Sequence, residues 1–207
     1  MPRTNYQFGG LRWHTPEGTA GLPQPVACTV ASAYNTDLLV GDPVKAINDG
    51  TVERAGAGTD GIYGVIIAIL QYRNSDGVLV RNGRYVPANT TWTAHADRTQ
   101  VLVAPARGNY FLIQSDDATT LTTMALVRSA KGNNADHIYP ANAANNALGL
   151  SACILDISTV NTTNTLQWRI HDVLEQPGND PLQTRATYIV YANVLSNFGG
   201  VGSNTGV

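Results

Sequence analysis

The sequence predicts a mainly β protein: an antiparallel β-barrel or sandwich with one short helix and an extended N-terminal arm. Short apolar runs bounded by Gly, Asn and Asp recur along residues 28–196, which is typical of strands joined by turns. The chain has 207 residues, of which 43% are apolar and 14% are charged. A chain of this length and composition buries a substantial core. We expect residues 28–196 to form one β-rich domain, with an inserted helix and loop elaboration at 116–147.

Residues 1–27 are expected to form the extended arm. Gly and Pro are frequent there and large side chains occur singly, so neither a helical nor a strand period is present. Phe8, Leu11 and Trp13 are apolar groups that would be costly to expose as one patch. We therefore expect them to lie in a groove on a neighbouring subunit. Residues 197–207 form a Gly-rich C-terminal tail.

The first half of the domain is expected to contain strands only. The apolar run Ile62–Leu70 could be a helix by length alone, but its β-branched residues and Gly64 favour a strand. The other strand-like segments of this half are Cys28–Tyr34, Leu38–Lys45, Val78–Val80, Arg84–Pro87, Gln100–Val103 and Tyr110–Gln114. Their close spacing predicts a barrel or sandwich.

One helix is expected, over Ala118–Lys131. Asp116 or Asp117 could cap its N-terminus, where a carboxylate also favours the positive end of the helix dipole, and Gly132 ends it. Residues 132–146 contain five asparagines and are expected to be a loop, with one strand at His137–Tyr139.

Two further strands are expected near the C-terminus. Residues 165–170 alternate apolar and polar, so one face should be buried. That pattern puts Leu166, Trp168 and Ile170 on the buried face and Gln167 and Arg169 on the other. Thr187–Val194 is rich in β-branched and aromatic residues. Between the two strands, Pro177–Pro181 has the composition of a turn.

Two motifs resemble catalytic or cofactor signatures, and we interpret both as structural. Residues 56–61 match GxGxxG, but a strand-like run follows them where a dinucleotide site requires a helix, so a Gly-rich hairpin loop is favoured. Gly149–Cys153 lies within one residue of GxSxG, but it also continues as a strand. We expect no catalytic residue and no cofactor.

Metal binding is not expected either. The four histidines show no HxH or HExxH spacing. His95 and Asp97 could meet on one strand face and hold a metal, but a hydrogen-bonded surface pair is commoner. Cys28 and Cys153 lie in apolar contexts, which favours buried free thiols over a disulfide.

The charge and hydropathy of the chain restrict its partners. A formal net charge of -2 with scattered basic residues argues against a nucleic-acid partner. No apolar run approaches the ~18 residues of a membrane span, and residues 1–6 lack the apolar region of a signal peptide. Since globular proteins average about 25% charged residues, much of this surface must be Thr, Asn, Ser, Gln and Gly.

Four segments of the chain carry a resemblance to a known family. They are Phe8–Leu11, Gly41–Val44, Val101–Gln114 and the block Leu148–Leu195, with its Gly-Leu-Ser, Leu-Gln-x-Arg-Ile and closing aromatic strand. Together they resemble the capsid decoration, or cement, proteins of tailed bacteriophages. Within this pattern the chain has an additional Gly at Phe8-Gly9-Gly10-Leu11 and a basic rather than acidic segment at residues 105–108.

The resemblance implies a structural virion protein, made in the host cytoplasm, that binds the outer capsid surface and bridges adjacent major capsid protein subunits. It also implies a β-tulip-like or jelly-roll barrel and a homotrimer at threefold positions, with a homodimer as the alternative. A second hypothesis is a carbohydrate- or receptor-binding β-sandwich module that uses Trp13, Trp92 or Trp168 as a stacking platform. An enzyme is expected least, because no titratable cluster is visible in the sequence.

Overall fold

The computed structural model describes residues 8–14, 24–58, 60–116, 120–140 and 148–196, and these residues form a mainly β fold. One short α-helix, α1 (Met124–Ser129), and one 3-10 turn (His95–Asp97) accompany the strands. In chain order the strands are β1 (Arg12–His14), β2 (Val26–Val30), β3 (Leu38–Leu39), β4 (Pro43–Ala46), β5 (Thr51–Arg54), β6 (Gly64–Arg73), β7 (Leu79–Arg81), β8 (Tyr85–Val86), β9 (Gln100–Pro105), β10 (Tyr110–Gln114), β11 (Asn134–Ile138), β12 (Ile154–Asn161), β13 (Trp168–Val173) and β14 (Thr187–Ala192).

Five strands close into a small barrel. The sheet order β4-β5-β2-β9-β6 returns to its start because β4 also pairs with β6. All of these pairings are antiparallel except β2 with β5, which is parallel. The strand β7 extends β6 as a hairpin, and β3 pairs with β8 beside the barrel. Closure pairs the strand edges that would otherwise be open to other chains.

A second, six-stranded antiparallel sheet packs against this barrel. Its order is β1-β10-β14-β13-β11-β12. An isolated bridge between Ser115 and Leu155 brings β12 beside the end of β10, so the sheet curls towards closure. We call it sheet A.

The core has two parts, one inside the barrel and one between the barrel and sheet A. Alternate residues of β10, β13 and β14 point inward from sheet A, as the period of two in a strand requires. Phe111 and Trp168 meet there edge to face at a centroid distance of 5.9 Å. The barrel interior is filled by β-branched side chains such as Val44, Val101 and Ile66.

The expected barrel class is confirmed, and several strands lie where the alternation predicted them. Tyr110–Gln114 is a strand with the predicted bounds, and Thr187–Ala192 falls inside the predicted Thr187–Val194. Trp168 and Ile170 are buried as expected, at 0% and 1% exposure. Leu166 is only half-buried, because the strand begins at Trp168.

The helix is shorter than predicted and begins later. It spans Met124–Ser129, and the side chain of Thr123 accepts a hydrogen bond from the Leu126 amide at its N-terminus. The predicted cap at Asp116 is wrong, and the alternative cap, Asp117, lies outside the described residues. The Asp116 carboxylate instead accepts a hydrogen bond from the Ile157 amide, so it ties the end of β10 to β12.

Two of the expected boundaries are corrected by strand pairing. The described part of the predicted arm contains β1, which pairs with β10, so residues 12–14 are an edge strand of sheet A. Within the predicted elaboration at 116–147, β11 pairs with both β12 and β13 and is an interior strand of the same sheet. The tail at 197–207 lies outside the described residues.

Candidate functional site

Three segments that carry the family resemblance meet at one place, which we call the junction. The Leu11 amide donates to the Gly41 carbonyl at 2.9 Å. On the other side of residue 41, the Val40 amide donates to the Gly149 carbonyl, and the Ser151 amide donates to the Val40 carbonyl. Hydrogen bonds thus join backbone from residues 8–11, 40–42 and 149–151, which are far apart in the sequence.

The two consecutive glycines at the start of the junction are required by its tightness. A Cβ on Gly9 would lie 2.5 Å from the Cβ of Leu150, and a Cβ on Gly10 would lie 2.7 Å from the Gly41 carbonyl oxygen. Gly10 also has a φ of +61°, which L-residues with side chains rarely adopt. The additional Gly relative to the family pattern therefore has a structural role.

The three predicted contact residues occupy different environments. Leu11 is 3% exposed and packs in the core of this same chain, so the expectation that it contacts a neighbouring subunit is corrected. Trp13 is half-buried against the same core, and its indole N–H donates to the Asn109 side chain at 2.9 Å. Phe8 is half-buried, with the Arg12 guanidinium 4.4 Å from the centre of its ring.

Phe8 stands between two surface depressions at one end of sheet A. One depression, of about 240 Å³, is lined by Phe8 and by Gln114, Ser115, Pro140, Ile154 and Arg185 among others. The second, of about 260 Å³, is lined by Phe8, Arg12 and Leu112 together with the loop 176–179. The Phe8 side chain therefore separates the two depressions. We call this region the Phe8 end.

The opposite end of the outer face of sheet A carries a cluster of aromatic side chains. Tyr110 lies with its ring centre 4.7 Å from that of His171 and 5.7 Å from that of Tyr191. His14 is the cross-strand neighbour of Tyr110, and Arg169 is that of Tyr191, so both project from the same face. We call Tyr110, His171 and Tyr191 the tyrosine cluster.

The tyrosine cluster borders a third depression, of about 300 Å³. Its lining includes Tyr110, Tyr191 and Leu195 and the turn Arg107-Gly108-Asn109. Within the described part of the chain, no side chain hydrogen-bonds to the hydroxyls of the two tyrosines or to the His171 ring. The cluster thus brings three aromatic rings and their polar groups together at the surface.

The GxGxxG segment is a loop, as predicted, but it is not a hairpin, because β5 and β6, which it connects, are separated by β4. A buried amide fixes it: the Gln167 side chain donates to the carbonyls of Gly56 and Asp60 at 2.8 and 2.7 Å. Gln167 is 0% exposed, which corrects its predicted place on a solvent face. The loop covers Gln167 but leaves Arg169, on the same face, exposed.

A buried histidine beside this loop is held as the neutral tautomer. His137 Nε2 lies 3.1 Å from the Ala55 carbonyl, which can only accept, and Nδ1 lies 3.1 Å from the Trp168 indole N–H, which can only donate. Burial lowers the pKa of His137 to about 4. Its two nitrogens are fully used in joining the GxGxxG loop to the core.

Asp42, at the junction, is a buried acid, and burial shifts its pKa in the direction opposite to that of His137. It is 1% exposed, and one carboxylate oxygen accepts from the Leu39 amide at 2.9 Å. Burial raises the pKa of Asp42 to about 6. Loss of water around a charged carboxylate accounts for that direction.

The remaining candidate residues are placed as follows. His95 and Asp97 lie in a 3-10 turn rather than on a strand, and Asp97 forms an ion pair with Arg73. Cys28 and Cys153 are buried free thiols, as expected. Among the described residues, no group of three or more His, Cys, Asp or Glu is positioned to hold a metal ion.

In comparisons with protein-family models, curated proteins and solved structures, no match to this chain was found. None of the helical segments in the described ranges has the length and apolarity needed to cross a membrane.

Proposed function

We propose that this chain is a structural virion protein of a tailed bacteriophage. It binds the outer surface of the capsid and stabilises the shell by bridging adjacent major capsid protein subunits. It is made in the host cytoplasm and acts on the assembled particle as a homotrimer, with a homodimer as the alternative.

The observation that carries this proposal is the junction. Phe8–Leu11, Gly41–Val44 and Gly149–Ser151 resemble decoration proteins and are far apart in sequence, yet they contact one another in the fold. If the resemblance were accidental, there would be no reason to expect the three segments to contact one another. Their contact supports the interpretation that they are one structural motif shared with decoration proteins.

The Phe8 end is the surface we assign to capsid attachment. The half-buried Phe8 ring lies between two depressions, and the Arg12 guanidinium packs on it. Aromatic residues and Arg are enriched at the centres of protein interfaces, where pockets beside an anchor exclude water. Because Leu11 is used in the core, Phe8 replaces it as the principal contact in this proposal.

Co-sedimentation with capsids tests the proposal. Capsids are purified from a phage in which the gene for this chain is disrupted, incubated with purified protein and pelleted. We expect the wild-type protein to pellet with the capsids and to raise the temperature at which they release DNA. Phe8→Ala should weaken binding about tenfold or more, as expected for an interface anchor worth about 2 kcal/mol.

Tyr191→Leu is the matched control, because it removes a half-buried ring from the other end of the same face. It should bind capsids as the wild type does. If the wild-type protein stays in the supernatant at all protein concentrations, the proposed function is wrong. If Phe8→Ala and wild type pellet equally, the capsid is bound by another surface.

A further inference from the structure

We propose that the tyrosine cluster is a saccharide-binding subsite, which is a binding activity separate from capsid attachment. Tyr110, Tyr191 and His171 form the site with the adjoining depression, and its ligand is a single sugar ring or the terminal residue of a glycan.

The chemistry of the cluster favours this ligand class. A pyranose has apolar C–H faces and a rim of hydroxyls, so it is bound by surfaces that offer an aromatic plane beside unused hydrogen-bonding groups. Tyrosine provides both from one side chain. Here the hydroxyls of two tyrosines and the nitrogens of His171 have no side-chain partner among the described residues, although the rings are within 4.7 to 6.5 Å of one another.

The cluster is held rigidly, as a binding platform requires. Tyr110 and Tyr191 belong to the adjacent strands β10 and β14, whose pairing puts them on the same face. Inward neighbours on both strands, Phe111 and Val190, are 0% exposed and fix the backbone beneath. His171 is brought close by a bulge in the pairing of β13 with β14 between Ile170 and Asp172. Bulges commonly redirect a side chain in this way.

The size and rim of the depression also fit a small hydroxylated ligand. A volume of about 300 Å³ is at the lower limit of small-molecule sites. Arg107 lines the depression and Arg169 is the cross-strand neighbour of Tyr191; both are exposed and can donate to hydroxyls or to the carboxylate of an acidic sugar.

This subsite differs from the stacking platform expected from the sequence. Trp168 is 0% exposed, and the indole N–H groups of Trp13 and Trp92 donate to Asn109 and to the Val30 carbonyl. No tryptophan combines an open ring face with an unused N–H. The aromatic platform therefore consists of tyrosines.

Saturation-transfer NMR with five defined probes tests the inference. They are the methyl glycosides of glucose, galactose, mannose, N-acetylglucosamine and N-acetylneuraminic acid, each at about 10 mM, which populates a site with a Kd of about 1 mM. We expect transfer to the ring C–H protons of at least one glycoside. Tyr191→Leu should reduce the signal about fivefold or more, while Tyr191→Phe, which keeps the ring and loses the hydroxyl, should give an intermediate signal.

A second variant within the site and a control variant outside it complete the test. His171→Ala changes an exposed side chain and should lower the signal without affecting the melting temperature. Tyr85→Leu, a half-buried tyrosine of β8 outside sheet A, should leave the signal unchanged. No transfer to any of the five glycosides would overturn the proposal, as would equal transfer in wild type and folded Tyr191→Leu. Phe8→Ala should keep glycoside binding, so failure of capsid attachment and failure of this subsite are distinguishable.

Discussion

Gly10 illustrates how a single residue can hold distant parts of this chain together. Its positive φ and its contact with the Gly41 carbonyl leave no room for a side chain. Gly10→Ala should destabilise the protein by about 3 kcal/mol or more, since a positive φ alone costs about 1 to 2 kcal/mol for a residue with Cβ and the overlap with Gly41 adds to it.

Gly50→Ala is the control for this prediction. Gly50 also has a positive φ, of +82°, but a Cβ there would meet nothing within 4 Å. It should cost only about 1 to 2 kcal/mol. Chemical denaturation of the two variants measures the difference, and equal losses would mean that the junction is looser than described.

His137 and Asp42 make opposing contributions to the pH dependence of stability. The pKa of His137 is lowered in the folded state from 6.5 to about 4, so its contribution is present above pH 6.5 and is lost as the pH falls towards 4. The pKa of Asp42 is raised from 3.8 to about 6, so the folded state gains stability as the pH falls through that window. Each effect is about 3 kcal/mol, and they nearly cancel.

Asp42→Asn separates the two effects. The wild-type free energy of unfolding should change little between pH 6.5 and 4.5 on account of these groups, whereas Asp42→Asn should lose about 2 to 3 kcal/mol over the same range through His137 alone. Urea denaturation at the two pH values measures this. A flat curve for Asp42→Asn would show that His137 is not held neutral, whereas parallel curves for the two proteins would show that the pKa of Asp42 is not raised.

At the scale of the element, alternation of apolar and polar residues predicted the strands that have one buried and one exposed face. The same alternation predicted burial wrongly for a polar residue that a neighbouring loop covers. In β10, Phe111 and Ile113 point inward while Tyr110 and Leu112 point outward, so the period of two is visible. Gln167 departs from this rule, since the loop 55–61 covers it. The parallel strand β5 was missed, because its pairing with β2 depends on closure of the barrel.

Trp168 tests the register of β13. It is fully buried, contacts Phe111 and donates to His137. Trp168→Ala should cost about 3 to 5 kcal/mol through lost transfer energy and a cavity. Arg169→Ala, an exposed neighbour on the same strand, should cost less than about 1 kcal/mol. A melting temperature of Trp168→Ala within a degree or two of wild type would contradict this register.

Strand β1 makes the N-terminal segment part of the fold, which a truncation tests. The full-length chain, in which β1 pairs with β10, is the reference protein. Deleting residues 2–14 removes β1, the Leu11 side chain from the core and the junction, and it should lower stability by several kcal/mol. Differential scanning calorimetry compares the two. A stable protein after this deletion would mean that β1 is dispensable.

At the scale of the whole molecule, the class of fold was predictable but the site was only partly so. Repeated short strands and turn residues predicted a barrel, and Phe8 was identified as an apolar side chain in need of cover. The tyrosine cluster was missed, because Tyr110, His171 and Tyr191 meet only through the strand order β10-β14-β13. No local pattern in the sequence encodes that order, since it depends on non-local pairing.

The central claim is that this chain decorates the outside of a capsid, and cryo-electron microscopy of reconstituted particles tests it most directly. Capsids from the gene-disrupted phage are imaged with and without added protein. We predict additional density on the outer surface at the threefold axes, three copies at each, into which the barrel and sheet A fit with the Phe8 end facing the major capsid protein; density at twofold axes would indicate the dimer instead. Identical reconstructions with and without the protein would contradict the account.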